Sequence, residues 1–368
     1  MNLKGLLRVF FFLFLISVTI DTAYSQDHQD QEVQSFLQRL FAVRIQSLAD
    51  RQYENLQPFY LPSDKRSRSA MVHEKNRSIY IHRWAEARGV KFVQSSGEIR
   101  VIRVKNMGEL TQATVVQSLQ LTYRYPDNEL HTMGVGTRHL LTLKKQDGNW
   151  RVLKEWYLDP LDENPRLIPT FAPADKNIIE GGPAIQGRKR KYDREKAVRY
   201  ANKYAGLANR PGTYQRYNQK YVDYTYQGGD CTNFTSQVLG DPEEGGGLPM
   251  RHEWRYKFNR GGSVAWVRTD SLKHFLIRSG YGTLIARGTY EQVAKPTKKF
   301  PRSALAELKP GDIIGYEMNG DVDHFSVVTA RDSKGYVLVN SHTADRFQVP
   351  WDLGWDKHTK FLLFRIGE

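Results

Sequence analysis

The chain is poorest in cysteine: among its 368 residues there is one, Cys231. A lone thiol cannot close an internal disulfide, so packing has to hold the fold together. It also rules out the multi-cysteine sets that bind structural zinc. Closely spaced histidine pairs are missing too. His73, His82, His131 and His139 are scattered, and His252, His274 and His358 stand alone, so they read as core or surface residues. No metal site and no cofactor are expected. Long apolar runs are equally scarce, and beyond residue 20 no segment is apolar enough to cross a bilayer.

What the chain has in excess is positive charge, a formal +14 at neutral pH. At its start, Lys4 and Arg8 precede an apolar stretch over residues 9–20, followed by the small residues Ala23 and Ser25. That order predicts a signal peptide over residues 1–25, cleaved after Ser25. A retained anchor is the competing reading, but the stretch falls short of the roughly 20 residues a span needs. Cleavage would leave a charge of about +13 and a secreted or wall-associated protein with no membrane span. Outside a cell, such a surface is drawn to wall polymers or other anionic material rather than to nucleic acid. Solubility alone explains the charge equally well.

Residues 26–159 read as one α+β domain. Val33, Phe36, Leu37, Leu40, Phe41, Ile45 and Leu48 recur at helical spacing, and a second helix is expected over residues 67–87, stopping near Gly89. Alternating segments then follow at residues 91–92, 99–104, 114–125, 137–144 and 150–158. This order of elements loosely resembles the cone-shaped domains related to nuclear transport factor two. Residues 160–191 carry Pro160, Pro165, Pro169, Pro173 and Gly181-Gly182-Pro183, then the basic cluster Arg188 to Lys191, and read as a linker. The second domain, residues 192–368, opens with a helix over residues 193–204 for which Asp193 is the expected N-cap.

Within this second domain, Gly228-Gly229-Asp230-Cys231 leads into Phe234, Val238 and Leu239 at helical spacing, ended by Gly240. Cys231 therefore falls in the first turn of a helix, where the dipole and free amides favour a thiolate. Taken without that context, a free cysteine is most often a small buried hydrophobe. The base such a nucleophile needs is a histidine, and His324 stands at the head of the apolar strand Phe325-Ser326-Val327-Val328. If residues 324–330 and 336–342 form a hairpin centred on Ser333, His342 lies directly across from His324 and can orient it. Asn340, two positions earlier on the same face, is the second choice. The oxyanion of a tetrahedral intermediate would meet the Cys231 amide and the Gln227 side chain, although Gln227 serves equally well as a turn residue. Asp230 is read either as tuning the cysteine or binding substrate, or as an N-cap. Asn233 and Gln237 are expected to brace the cysteine helix, and Asp312 to shape the turn into its strand.

Asp230-Cys231-Thr232-Asn233-Phe234 with Ser236-Gln237, then Gly311-Asp312-Ile313-Ile314, Asp323-His324 and Ser341-His342-Thr343, resemble the putative amidase domain family of Gram-positive bacteria. That family is similar in arrangement to the NlpC-type and CHAP peptidoglycan hydrolases. The resemblance covers residues 192–368 and implies a papain-like α+β domain, its cysteine helix packed on an antiparallel sheet that bears the histidine. It further implies a cysteine hydrolase acting on amide bonds, with peptidoglycan as substrate. A catalytically inactive wall-binding protein and an acyltransferase using the same thiol are the alternatives. His324 departs slightly from the family pattern, being followed by Phe325-Ser326 rather than by a small residue.

Overall fold

The seven apolar residues at helical spacing are all buried along one face of helix α1, residues 29–50. This computed structural model describes residues 29–161, 164–169, 192–207 and 217–367. The expected signal peptide and the basic cluster at residues 188–191 lie outside the described residues. Helix α2 (Lys65–Ala87) begins where Asp64 accepts the Arg66 and Ser67 amides. It stops before Gly89, whose φ of +67° no β-branched residue would adopt readily.

Four antiparallel strands follow: β1 (Lys91–Met107), β2 (Leu110–Arg124), β3 (Leu130–Gln146) and β4 (Asn149–Trp156). The two short segments expected at residues 91–92 and 99–104 are one long strand, β1, broken in register at Phe92/Gln94 and Val101/Arg103. Those irregularities disturb the period-two alternation on which the reading depended. The chain then enters α3 (Arg194–Lys203), with Asp193 accepting the Lys196 amide as its N-cap, and α4 (Cys231–Gly240). A small hairpin, β5 (Tyr256–Lys257) and β6 (Gly261–Gly262), precedes helices α5 (Val264–Val267) and α6 (Thr269–Ser279). The chain closes with β7 (Gly282–Thr289), α7 (Tyr290–Ala294), β8 (Ile313–Met318), β9 (Asp321–Arg331), β10 (Val337–Ser341), β11 (Asp345–Pro350) and β12 (Lys360–Ile366).

The architecture is α+β, with ten strands in one antiparallel sheet in the order β1-β2-β3-β11-β10-β9-β8-β12-β7 and β4 also paired to β3. Strands from either side of the expected linker meet within it, where Gly136, Val135 and Gly134 of β3 pair with Asp345, Arg346 and Phe347 of β11. A core of Ile45, Trp84, Leu119 and Met133 also takes in Val349 and Leu353 from beyond the linker. In the C-terminal half the sheet is covered on both faces. Phe325 and Val327 of β9 pack with Phe234 and Val238 of α4, while Val328, Val339 and Tyr316 pack with Tyr290 of α7 and Trp351 on the other side. Among the described residues no helix is long and apolar enough to cross a membrane.

The hairpin that carries the candidate base differs from its expected register. Val337 pairs with Arg331 and Leu338 with Ala330, so the turn is centred beyond Ser333. Asp332 sets that turn by accepting the Lys334 and Tyr336 amides. A bulge then skips Thr329, so that Val339 faces Val328 and Asn340 faces Val327. Continued past Ser341, this register brings His342 opposite Phe325 rather than His324. A one-residue slip of this kind moves a side chain to the other face of the sheet.

Candidate active site

Cys231 is the first residue of α4, and the backbone amide of Phe325 on β9 is near enough to its thiol to draw the pKa down. The thiol also lies 3.8 Å from Thr232 Oγ1, and Cys231 is 7% exposed. The peptide unit between His324 and Phe325 thus lies beside the nucleophile candidate.

The loop that delivers Cys231 is held from the β10–β11 turn. Gly229, at φ +117°, faces the Thr343 side chain 3.2 Å from where a Cβ would stand, so a side chain there would be strained and crowded. Thr343 Oγ1 accepts the Asp230 amide. The Asp230 side chain occupies the N-cap position without capping. It accepts instead from the Tyr224 amide (2.9 Å), Asn233 Nδ2 (2.8 Å) and His342 Nδ1 (2.7 Å). His342 is fully buried, stacked between Tyr217 and Phe234 at ring centroid distances of 3.6 and 3.9 Å. Its Nε2 reaches the Tyr204 carbonyl. Each ring nitrogen thus faces an oxygen, Nδ1 the Asp230 carboxyl and Nε2 the Tyr204 carbonyl.

The six candidate residues therefore separate into groups. Cys231 lies beside Phe325 of β9, while the neighbouring His324 turns its ring to the opposite face of the strand, toward Tyr316 and Trp355. Asp230 and His342 form a buried pair beneath the cysteine loop, and His342 is spent on Asp230 rather than on His324. Asn340 is also committed elsewhere: its Oδ1 accepts from Thr329 Oγ1 and the Gln348 amide, and its Nδ2 donates to the Ala201 carbonyl and Asn202 Oδ1. It locks α3 to the sheet. Gln227 is exposed, and its amide closes a turn on the Tyr224 carbonyl. Asn233 and Gln237 brace α4, through Trp266 Nε1 and the Tyr200 hydroxyl respectively. Asp312 ties Arg194, the Lys309 amide and the Ile366 amide together, and burial raises its pKa.

His324 is 8% exposed and points to the face of β9 away from α4, among Tyr316, Trp355 and Arg346. Among the described residues its Nε2 makes no hydrogen bond, and neither ring nitrogen bonds to the thiol. Burial first, and then the nearby Arg346 guanidinium, push its pKa down to about 3. Burial likewise pushes the Cys231 thiol up, against the pull of the Phe325 amide and the Thr232 hydroxyl. At neutral pH the site therefore holds a thiol and a neutral imidazole. This corrects the expected thiolate: removal from water outweighs the helix-terminal field. Arg346 and Trp355 escaped the sequence reading because neither belongs to a motif. Thr343 was within a quoted motif, but nothing in it told of the contact with Asp230. Among the described residues, no group of three or more His, Cys, Asp or Glu could hold a metal ion.

The chain is similar to Uncharacterized protein YhbB of Bacillus subtilis (strain 168), 32% identical over 173 residues that span 45% of this chain and 46% of that protein. The chain thus matches a little under half the length of this curated relative. Two solved structures are also similar. The intermembrane space region of the chloroplast protein ARC6 is 12% identical, covering 36% of this chain and 95% of that one at a TM-score of 0.25. A calcium/calmodulin dependent protein kinase II association domain from Xanthomonas campestris is 15% identical, covering 32% and 81% at a TM-score of 0.20. Scores this low carry no inference about fold or function. Residues 191–364, which hold Cys231, His324 and His342, match the family described as Putative amidase domain.

Proposed function

We propose that the protein is a secreted cysteine hydrolase with a papain-like C-terminal half that cleaves amide bonds in peptidoglycan. The observation that carries this reading is the position of Cys231 at the first turn of α4 beside the Phe325 amide, which draws the pKa of the thiol down and sets the sulfur next to the residue bearing the imidazole. The family match supports amide hydrolysis as the reaction class. The net charge of +14 supports attraction to an anionic wall.

As Sγ attacks the carbonyl carbon, the thiol proton passes to His324 once its ring has turned toward the sulfur from the face of β9 away from α4. The neutral imidazole is the form able to take it. The oxyanion is met by the first amides of α4, the Cys231 N–H among them, which have no partner within the helix. The imidazolium then protonates the departing amine, leaving a thioester. Water attacks the thioester, giving its proton to His324 and releasing the carboxylic acid and the free thiol. An amine in place of that water would make the enzyme an acyltransferase.

A second reading, a wall-binding protein that no longer cuts, is favoured by one observation: the thiol is buried and unbonded to the imidazole. Purified walls incubated with the protein, with Cys231→Ala and with His324→Ala separate the two. Release of new amino groups by the unaltered protein, reduced at least about 10³-fold in both variants, supports hydrolysis. Release that persists in Cys231→Ala rejects the mechanism, and equal wall binding without release supports the second reading. The masses of the released muropeptides identify the bond.

A further inference from the structure

A cavity of about 330 Å³ opens where the two halves of the chain meet. Tyr125, just past β2, lines it from the N-terminal half, and Tyr290, Leu305, Tyr336 and Trp351 line it from the other. Arg331, the last residue of β9, and Val337, the first of β10, border it as well. Arg331 lies six residues along β9 from Phe325, roughly 20 Å at the rise of a strand. The cavity is therefore separate from the site at Cys231.

Most of the wall is aromatic or aliphatic, and charge singles out one point on it. Three cations line the cavity. Arg88 is paired with Asp352, and Lys334 with Asp127. Arg331 has no ion pair among the described residues. Its terminal nitrogens donate only to backbone carbonyls, those of Gly335, Leu305, Ala306 and Leu308. The carboxylates whose fields reach it are engaged, Asp312 by Arg194 and Asp332 by the hydroxyls of Tyr123 and Tyr125. Burial, and then the Arg302 guanidinium, hold the pKa of Arg331 below the ordinary arginine value, as befits a cation short of negative charge.

A second donor stands next to it. Ser303 is 3% exposed, its Oγ accepts the Ala306 amide at 3.1 Å, and among the described residues it gives its own proton to no acceptor. Ser303 and Arg331 both bond to the backbone of Ala306, which sets hydroxyl and guanidinium side by side. The tyrosine hydroxyls are already spent, that of Tyr125 on Asp332 and that of Tyr336 on Asp352.

We infer that this cavity binds a small aromatic carboxylate, its ring among Tyr290, Leu305, Tyr336 and Trp351 and its carboxylate on Arg331 and Ser303. The volume lies at the low end for ligand sites and suits a body of one or two rings rather than a polymer segment. A neutral ligand would leave Arg331 enclosed without a counter-charge, and a cationic one would be repelled. The site does not require Cys231 to be a nucleophile.

The test is calorimetric titration of the full chain with 2-naphthoate and with 2-naphthamide, its uncharged counterpart. Saturable one-to-one binding of naphthoate, at least about ten-fold tighter than that of naphthamide, supports the inference. Arg331→Gln should weaken naphthoate by at least about ten-fold and leave naphthamide within about two-fold. Because Arg331 also holds backbone carbonyls, that variant can disturb the local fold. Ala306→Phe leaves the guanidinium in place, fills the cavity with a side chain, and should abolish binding of both probes. Absence of saturable naphthoate binding, equal affinity for the two probes, an unchanged naphthoate affinity in Arg331→Gln, or binding that survives Ala306→Phe overturns the inference.

Discussion

Replacing His342 by phenylalanine separates two roles for that residue. As a brace for the cysteine loop it is paired with Asp230 at 2.7 Å, 0% and 1% exposed respectively, and bonded to the Tyr204 carbonyl. Phenylalanine preserves the stack between Tyr217 and Phe234 but strands the carboxylate. Breaking one side of a buried ion pair costs about 3–5 kcal/mol, and the abandoned carbonyl adds about 1–3. Asp230 still accepts from the Tyr224 amide and Asn233, which offsets part of this, so a net loss of about 4 kcal/mol is expected. Urea unfolding at pH 7 should show the midpoint lowered by about 1–2 M. Asp230→Asn in the same chain should recover part of the loss, because the stranded charge is gone, and the two changes should be coupled by more than about 1 kcal/mol. Were His342 instead the orienting group for His324, turnover would fall while the midpoint stayed within about 0.5 kcal/mol of the parent. That result, or strict additivity with Asp230→Asn, would refute the bracing role.

Three further outcomes follow from burial and charge. Because burial holds the Cys231 thiol protonated, alkylation by iodoacetamide should be slow at pH 7 and accelerate only above pH 9; rapid labelling at pH 7 contradicts the geometry. The pKa of His324 is depressed from 6.5 to about 3, so the stability it confers as a neutral ring is complete above pH 6.5 and erodes as pH falls toward 3. Each pH unit in that window costs the fold about 1.4 kcal/mol, and His324→Gln should flatten this part of a pH–stability profile; an unchanged acid slope counts against the buried neutral ring. Asp352 accepts from Trp84 Nε1 (2.9 Å), Arg88 Nε (3.0 Å) and the Tyr336 hydroxyl (2.7 Å), so Asp352→Asn should cost about 3–5 kcal/mol, read as a lower thermal midpoint. A shift of under 1 °C would show that this junction carries little of the stability.

Sequence periodicity was enough to place α1, the end of α2 near Gly89, the Asp193 cap and the cysteine helix, because each depends on residues within one or two turns of one another. The same local reasoning singled out Cys231 and His324, which fall on adjoining elements with their side chains on opposite faces of β9. It went wrong where geometry is decided by a single inserted residue. Nothing in residues 324–342 marks Thr329 as bulged or the turn as centred beyond Ser333. The turn shifts the pairing by two residues and the bulge takes one back, which leaves His342 one residue out of line with His324 and free to pair with Asp230. Long-range electrostatics were equally hidden. A helix N-terminus argues for a thiolate, but Phe325 and α4 withdraw the sulfur from water, and desolvation prevails.

The continuity of the sheet bears on how the base works. The wall facing His324 is the segment holding Trp351, Leu353 and Trp355, and it is fastened from the N-terminal half. Arg88 and Trp84 of that half grip Asp352, the Tyr80 hydroxyl accepts the Gly354 amide, and Arg346 reaches the Pro160 carbonyl. Gly354, at φ +85°, has the Pro160 carbonyl where any side chain would project, so the segment and the end of the first half are pressed together. Movement of α2 against the sheet would therefore be felt at Trp355 and Arg346 before it reached the cysteine, whose own loop is held by Asp230, His342 and Thr343. Both the thiol and the imidazole are set by the C-terminal half, and only the wall behind the imidazole is fastened from the N-terminal half. An isolated piece beginning at residue 192 would keep the cysteine loop and the residues of the wall behind His324 but lose the contacts from Trp84, Arg88, Tyr80 and Pro160 that fasten that wall, so the N-terminal half is part of the structure that sets the proton affinity of the base.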